Sequence, residues 1–311
     1  MRRRHAEHYA ACAAELGSCL ARGWDDAAFA RLAADLDNLE AGLRYLCDQS
    51  EHDRAAELLW NTQNVWGLAG PVMATGVVQH LLTHGDTLSL DSLARVYVAT
   101  AVIQADAGAL AAAFDAAAMA LPLVQRINDP VVAARARVYF EAIRSFADPI
   151  GVEADLRRAV EHCMAVGDAV GAPFGRFWLT ACITVLQGCS PRALVLLAEN
   201  LADEGTLGHP VYAAGAHALM AEAMQERCEI DTALHHARAA EQKVEHVALL
   251  LGRGADRFRA MSIAGSIAAL VRGFTSILRR QPPLPGVDLV SASLRSAADG
   301  HGVAAYPQST G

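Results

Sequence analysis

Residues 129–146, DPVVAARARVYFEAIRSF, decide the fold class. The run opens on Asp129-Pro130, and proline suits the first turn of a helix, where its missing N–H goes unused. An alanine-rich, aromatic segment follows, which predicts a helix over Val131–Phe146. The same punctuation returns at Ala172-Pro173 and His209-Pro210, so these prolines lie 43 and 37 residues apart. Each again precedes a predicted helix, Phe174–Leu186 and Val211–Gln225, and each of the three is followed by a second: Val152–Val166, Pro191–Leu201 and Ile230–Val247. An earlier pair, Leu90–Ala105 and Ala109–Arg126, has the same layout. Helix pairs recurring at a period near 40 are the signature of an α-solenoid. The strict tetratricopeptide pattern is not met, so the expected fold is all-α, a TPR-like solenoid of antiparallel helix pairs with degenerate repeats. Small residues at helical spacing, Ala112, Ala116 and Ala120 among them, mark where helices touch.

Composition agrees. Of 311 residues, 53% are hydrophobic, 19% charged and only 6% aromatic, so a core can form and a sheet of alternating β-branched residues is not indicated. The net charge of −8 lacks the attraction to phosphate that drives nucleic-acid binding. Lys243 is the only lysine, and this arginine and alanine bias is that of a GC-rich, for example actinobacterial, genome. Seven cysteines without a C-x-x-C pair read as reduced, buried thiols of a cytoplasmic protein. Glu7, His8 and Glu15 interrupt any signal-peptide core, and the apolar stretches 107–124 and 260–278 read as helices buried in protein rather than membrane spans.

The chain divides into an N-terminal helical region (1–85), the repeats (86–280) and a Pro/Gly-containing tail (281–311). In the first region, Phe29, Leu32, Leu36, Leu39, Leu43 and Leu46 fall three or four apart and predict one helix, with Asp25 or Asp26 capping its start. Within it, Asn38 is expected to bond a neighbouring helix backbone while Leu39 and Leu43 enter the core.

The residues Arg4-His5-Ala6-Glu7-His8-Tyr9, the run Asp37-Asn38-Leu39-Glu40-Ala41-Gly42-Leu43, and the tryptophans Trp60 and Trp66 carry a family resemblance over residues 4–70. This segment resembles the one that follows the ATPase core in bacterial signal-transducing P-loop ATPase transcriptional regulators of the LuxR and antibiotic-regulator type. The resemblance implies that Arg4, His5, Tyr9, Asp37, Asn38, Leu39, Trp60 and Trp66 have a structural role. It also implies a sensor arm that receives a protein partner or a small-molecule inducer. The family's G-x-x-x-x-G-K-[ST] phosphate loop does not occur in these 311 residues, since Lys243 sits in Glu241-Gln-Lys-Val-Glu, and the tail 281–311 is not expected to hold the family's helix-turn-helix domain. The expected function is therefore a non-catalytic regulatory or protein-interaction module, with no cofactor, metal, direct nucleic-acid binding or membrane attachment.

Candidate chemistry is sparse. Phe174, Arg176, Phe177 and Trp178 are candidates for lining a concave partner- or ligand-binding face, and Arg135, Arg137, Arg144 and Arg176 for a basic stripe beside it. His80 and His84 share a helix face at a zinc-compatible spacing, but the glutamate of H-E-x-x-H is missing, so they read as a surface or helix-end pair. His5 with His8, and His235 with His236, receive no metal role. Two competing readings follow: an all-α metal-dependent enzyme centred on His80, His84 and Asp86, and a membrane-associated scaffold using the helix 260–280.

Overall fold

The computed structural model describes residues 1–69, 71–145, 148–202 and 208–251, and every regular element among them is helical. The helices are α1 (Arg2–Arg22), α2 (Asp26–Ala34), α3 (Leu36–Asp48), α4 (His52–Ala69), α5 (Pro71–Thr83), α6 (Leu90–Asp106) and α7 (Leu110–Val124). They continue with α8 (Pro130–Arg144), α9 (Pro149–Ala165), α10 (Gly171–Gln187), α11 (Pro191–Ala202), α12 (Pro210–Glu226) and α13 (Ile230–Leu251). The fold is all-α, as the sequence predicts. The expected tail and the apolar stretch 260–278 lie outside the described residues.

Prolines start four of the described repeat helices, α8, α9, α11 and α12. Pro130 opens α8 behind Asp129, whose Oδ1 accepts from the amides of Val131 and Val132 at 3.1 Å. Pro210 opens α12 behind His209, which makes no side-chain cap bond. Four helices end in one and the same turn. After α3, α6, α9 and α12, residues Ser50, Gly108, Gly167 and Cys228 adopt left-handed backbone with φ of 58°, 79°, 71° and 62°. In each turn the following amide reaches back five residues: Glu51 to Leu46, Ala109 to Gln104, Asp168 to Cys163, and Glu229 to Met224, all at 2.8–2.9 Å. These are Schellman motifs, which satisfy the last carbonyls of a helix and turn the chain sharply into the next one.

From α3 onward consecutive helices pack as neighbours, and α6, α8, α10 and α12 also pack on one another in a row. The last helix of the described residues, α13, returns to α2, where His246 Nε2 meets Asp26 Oδ2 at 2.9 Å. Its Val247, Ala248 and Leu251 join the same apolar cluster as Phe29, Leu39, Leu43 and Trp66. That cluster also holds Val96, Ala99 and Ile103, so the core crosses residue 85 without a break. A second cluster is built from α6 to α13 around Tyr139, Phe174, Phe177 and Ile183.

Two local expectations are corrected. The apolar series Phe29–Leu46 spans two helices, not one, because the chain breaks at Asp35 (φ −95°, ψ 14°). Asp35 has weak helix propensity, and its carboxylate is held by Arg31 Nε at 2.7 Å and Asn38 Nδ2 at 3.4 Å, which favours the junction. Both halves still bury their apolar faces in one cluster. Asn38 bonds side chains rather than a neighbouring backbone: its Oδ1 accepts from His5 Nε2 on α1 at 3.2 Å. Asp25 is the cap of α2, accepting from the amide of Ala28 at 2.8 Å.

Candidate functional site

The aromatic residues singled out in the sequence come together, but inside the protein. Phe174, Phe177 and Trp178 are buried in the second cluster. Phe174 stacks on Tyr139 with ring centroids 3.8 Å apart, and Tyr212 lies edge-on to it at 5.7 Å. They therefore line no open concave face. The physical reason is the size of their neighbours: alanines at 134, 142, 172 and 216 let the helices close over the rings.

Of the expected basic stripe only Arg135 is buried; Arg137 is exposed, Arg144 and Arg176 are half-buried, and each of the four meets a partner within the chain. Arg135 is 2% exposed and makes a bidentate ion pair with the buried carboxylate of Asp168, its Nε donating to Oδ2 at 3.1 Å. Its guanidinium also lies 4.6 Å from the ring centroid of Trp60 on α4. Arg137 pairs with Glu141 at 2.8 Å, Arg144 with Asp155 at 2.9 Å, and Arg176 donates to Asn200 Oδ1 at 3.1 Å. Among the motif residues, His5 and Asn38 meet directly, the His5 and Tyr9 rings lie 4.7 Å apart, and Trp66 is fully buried with its Nε1 donating to Thr62 Oγ1 at 2.8 Å. The cysteines are all free thiols. Cys47, Cys163 and Cys182 are buried, but Cys12, Cys19 and Cys189 are half-buried and Cys228 is exposed, so only three follow the expectation of burial.

A polar network crosses the core beside these rings. Tyr212 donates its hydroxyl to Asp106 Oδ1 at 2.7 Å, joining residues 106 positions apart. Complete burial pushes the Asp106 carboxyl up to about 7, against the smaller lowering effect of the Tyr212 hydrogen bond. Burial also holds His209 neutral, down to about 3. Gly67 on α4 makes room for the carboxylate, since a Cβ there would lie 2.5 Å from Asp106 Cβ.

The most chemically suggestive cluster is the one formed by His52, His80 and His84. Each offers one ring nitrogen, and the three nitrogens lie within 4.8 Å of one another. His52 begins α4, His80 lies on the last turn of α5, and His84 follows that helix. The His80 and His84 rings stack with centroids 4.4 Å apart, and the His52 ring lies 5.7 and 5.1 Å from them. His52 is 6% exposed, and the other two are half-buried. Sequence spacing shows the pair at 80 and 84 but not His52, because nothing local signals that the start of α4 meets the end of α5. Asp86 is exposed and is not in the cluster. A cleft of about 290 Å³ adjoins His80 and is also lined by Arg44, Cys47, Asp48, Gly76 and Val77. Burial pushes the Cys47 thiol up to about 11, so it stays protonated at neutral pH.

Comparison of the chain with protein-family models, with curated proteins and with solved structures finds no match. No helix among the described residues is long and apolar enough to cross a membrane.

Proposed function

We propose that the chain is a non-catalytic regulatory module: a TPR-like helical stack that binds a protein partner or a small inducer in the cytoplasm, related to the sensor arms of P-loop ATPase transcriptional regulators. The observation that carries this reading is the row formed by α6, α8, α10 and α12, each successive helix packing on the one before it. Repeated helix pairs of this kind present extended surfaces for partners. The pairing of His5 with Asn38 gives two of the motif residues one structural task, clamping α1 to α3. With Phe174, Phe177 and Trp178 in the core, the surface offered to a partner is drawn from the exposed helix faces instead. Exposed Leu234 and Leu249 on α13 and Val195 on α11 supply apolar contact there.

The test uses the full chain as bait in lysate of the source organism, with mass spectrometry as readout. Specific recovery of a P-loop ATPase or a helix-turn-helix protein supports the reading. ATP hydrolysis by the purified chain alone contradicts it. The metal-dependent enzyme is a second reading, and the convergence of His52 on His80 and His84 favours it. Metal-dependent turnover of a small substrate would establish it.

A further inference from the structure

The hydrogen bonds around the histidine cluster determine where its protons sit. The Thr87 hydroxyl donates to the carbonyl oxygen of His84 at 2.7 Å. Its oxygen therefore accepts from His52 Nδ1, 2.5 Å away, and that nitrogen carries the hydrogen. His84 Nδ1 faces the carbonyl oxygen of His80 at 2.9 Å, and a carbonyl only accepts, so His84 Nδ1 also carries its hydrogen. In both rings the proton on Nδ1 leaves a lone pair on Nε2. His80 Nε2 is buried with no hydrogen-bond partner. A buried imidazole nitrogen without a partner is costly, and a bound cation removes that cost.

We propose that His52, His80 and His84 form a three-imidazole site for a divalent transition-metal ion of the zinc class. Imidazole suits zinc and its neighbours, and metal-bound histidines characteristically donate their second ring N–H to a carbonyl or hydroxyl oxygen. His84 does so to the backbone of His80, and His52 to Thr87. Zinc–nitrogen bonds of about 2.0–2.1 Å place tetrahedral ligand nitrogens roughly 3.4 Å apart, so ring rotations of about 1 Å close the present arrangement around the ion. Three protein ligands leave one position for water or a small ligand. The cleft beside His80, lined also by Arg44 and Asp48, supplies room for it. The ion would tie the start of α4 to the end of α5 and the turn Gly85–Thr87. The site stands independently of the regulatory reading, since a chain that captures no partner still binds zinc.

The experiment titrates the full chain with Zn²⁺ against a chelator, and with Co²⁺ followed by its visible absorption. The expected result is one equivalent bound, with a Co²⁺ spectrum of low-coordinate nitrogen ligation. His84→Ala, at a half-exposed position, weakens binding by more than about 100-fold, and His52→Ala and His80→Ala do the same. Thr87→Val weakens it about 10–100-fold by releasing His52 Nδ1, while Thr87→Ser retains it. His8→Ala and His236→Ala test two other places where a histidine meets a second donor: His8 with Cys12, and His236 with His217. The proposal is overturned if the wild-type chain binds no equivalent of either ion, if His84→Ala binds as the wild type does, or if His8→Ala or His236→Ala abolishes binding. Unchanged affinity in Thr87→Val overturns the assignment of the His52 ligand atom.

Discussion

Substituting Asp106→Asn tests the buried network most quantitatively. In the folded chain the Asp106 carboxyl is raised from 3.8 to about 7 by complete burial. A raised folded value means that the native state binds the proton more tightly than the unfolded one. The resulting stability is fully present below about pH 4 and is lost as pH climbs through about 7. A shift of about 3 units corresponds to roughly 4 kcal/mol across that window. His209 has the opposite sign. Its folded value is depressed to about 3, so its contribution is present above about pH 6.5 and is lost as pH falls. Between about pH 4 and 6.5 the two slopes nearly cancel, so the wild type alone shows little. The variant isolates Asp106: asparagine still accepts from the Tyr212 hydroxyl but cannot ionise. Urea unfolding followed by circular dichroism, at pH 5 and pH 8, reads the difference between variant and wild type. Stability of the variant relative to wild type should rise by about 3 kcal/mol from pH 5 to pH 8. An equal difference at the two pH values would refute the reasoning, because it would mean that folding leaves the carboxyl unperturbed.

Arg135→Ala should destabilise by about 3–5 kcal/mol, because it leaves the Asp168 carboxylate buried and unpaired; the double variant Arg135→Met/Asp168→Asn should recover most of this in thermal unfolding. Gly17→Ala should cost about 1–3 kcal/mol, since the new Cβ would lie 2.3 Å from the Asn61 carbonyl oxygen where α1 crosses α4. Gly76→Ala, on α5 with open space around the new methyl, should instead gain up to about 1 kcal/mol, and finding the same sign for both glycines would count against this packing. Cys228→Gly should gain about 1 kcal/mol in chemical denaturation by relieving a left-handed residue; a loss would show that the exposed thiol has a role the turn does not explain.

Most helix boundaries were legible because proline and short polar segments punctuate the chain. The predicted Val152–Val166 and Pro191–Leu201, for example, stand as Pro149–Ala165 and Pro191–Ala202. Two of the four Schellman turns carry the expected glycine, Gly108 and Gly167, whereas Ser50 and Cys228 give no such signal. The break at Asp35 was hidden because the apolar spacing continues in phase across it. The aromatic residues were correctly singled out as a group, yet a helical face rich in rings reads the same whether it meets another helix or a groove. Only the alanines opposite, which let the helices close, decide that. His52 was missed for a different reason: it lies 28 residues from His80, and no periodicity links the start of one helix to the end of the next.

Three imidazoles, two of them oriented by their own hydrogen bonds, converge at the junction of α4 and α5, where the proposed divalent ion would sit. Anomalous diffraction at the zinc edge, from crystals of the full chain grown with equimolar zinc, tests this placement. One dominant peak is expected within bonding distance of a ring nitrogen of each of His52, His80 and His84. No peak there, or a dominant peak between His217 and His236, would contradict it.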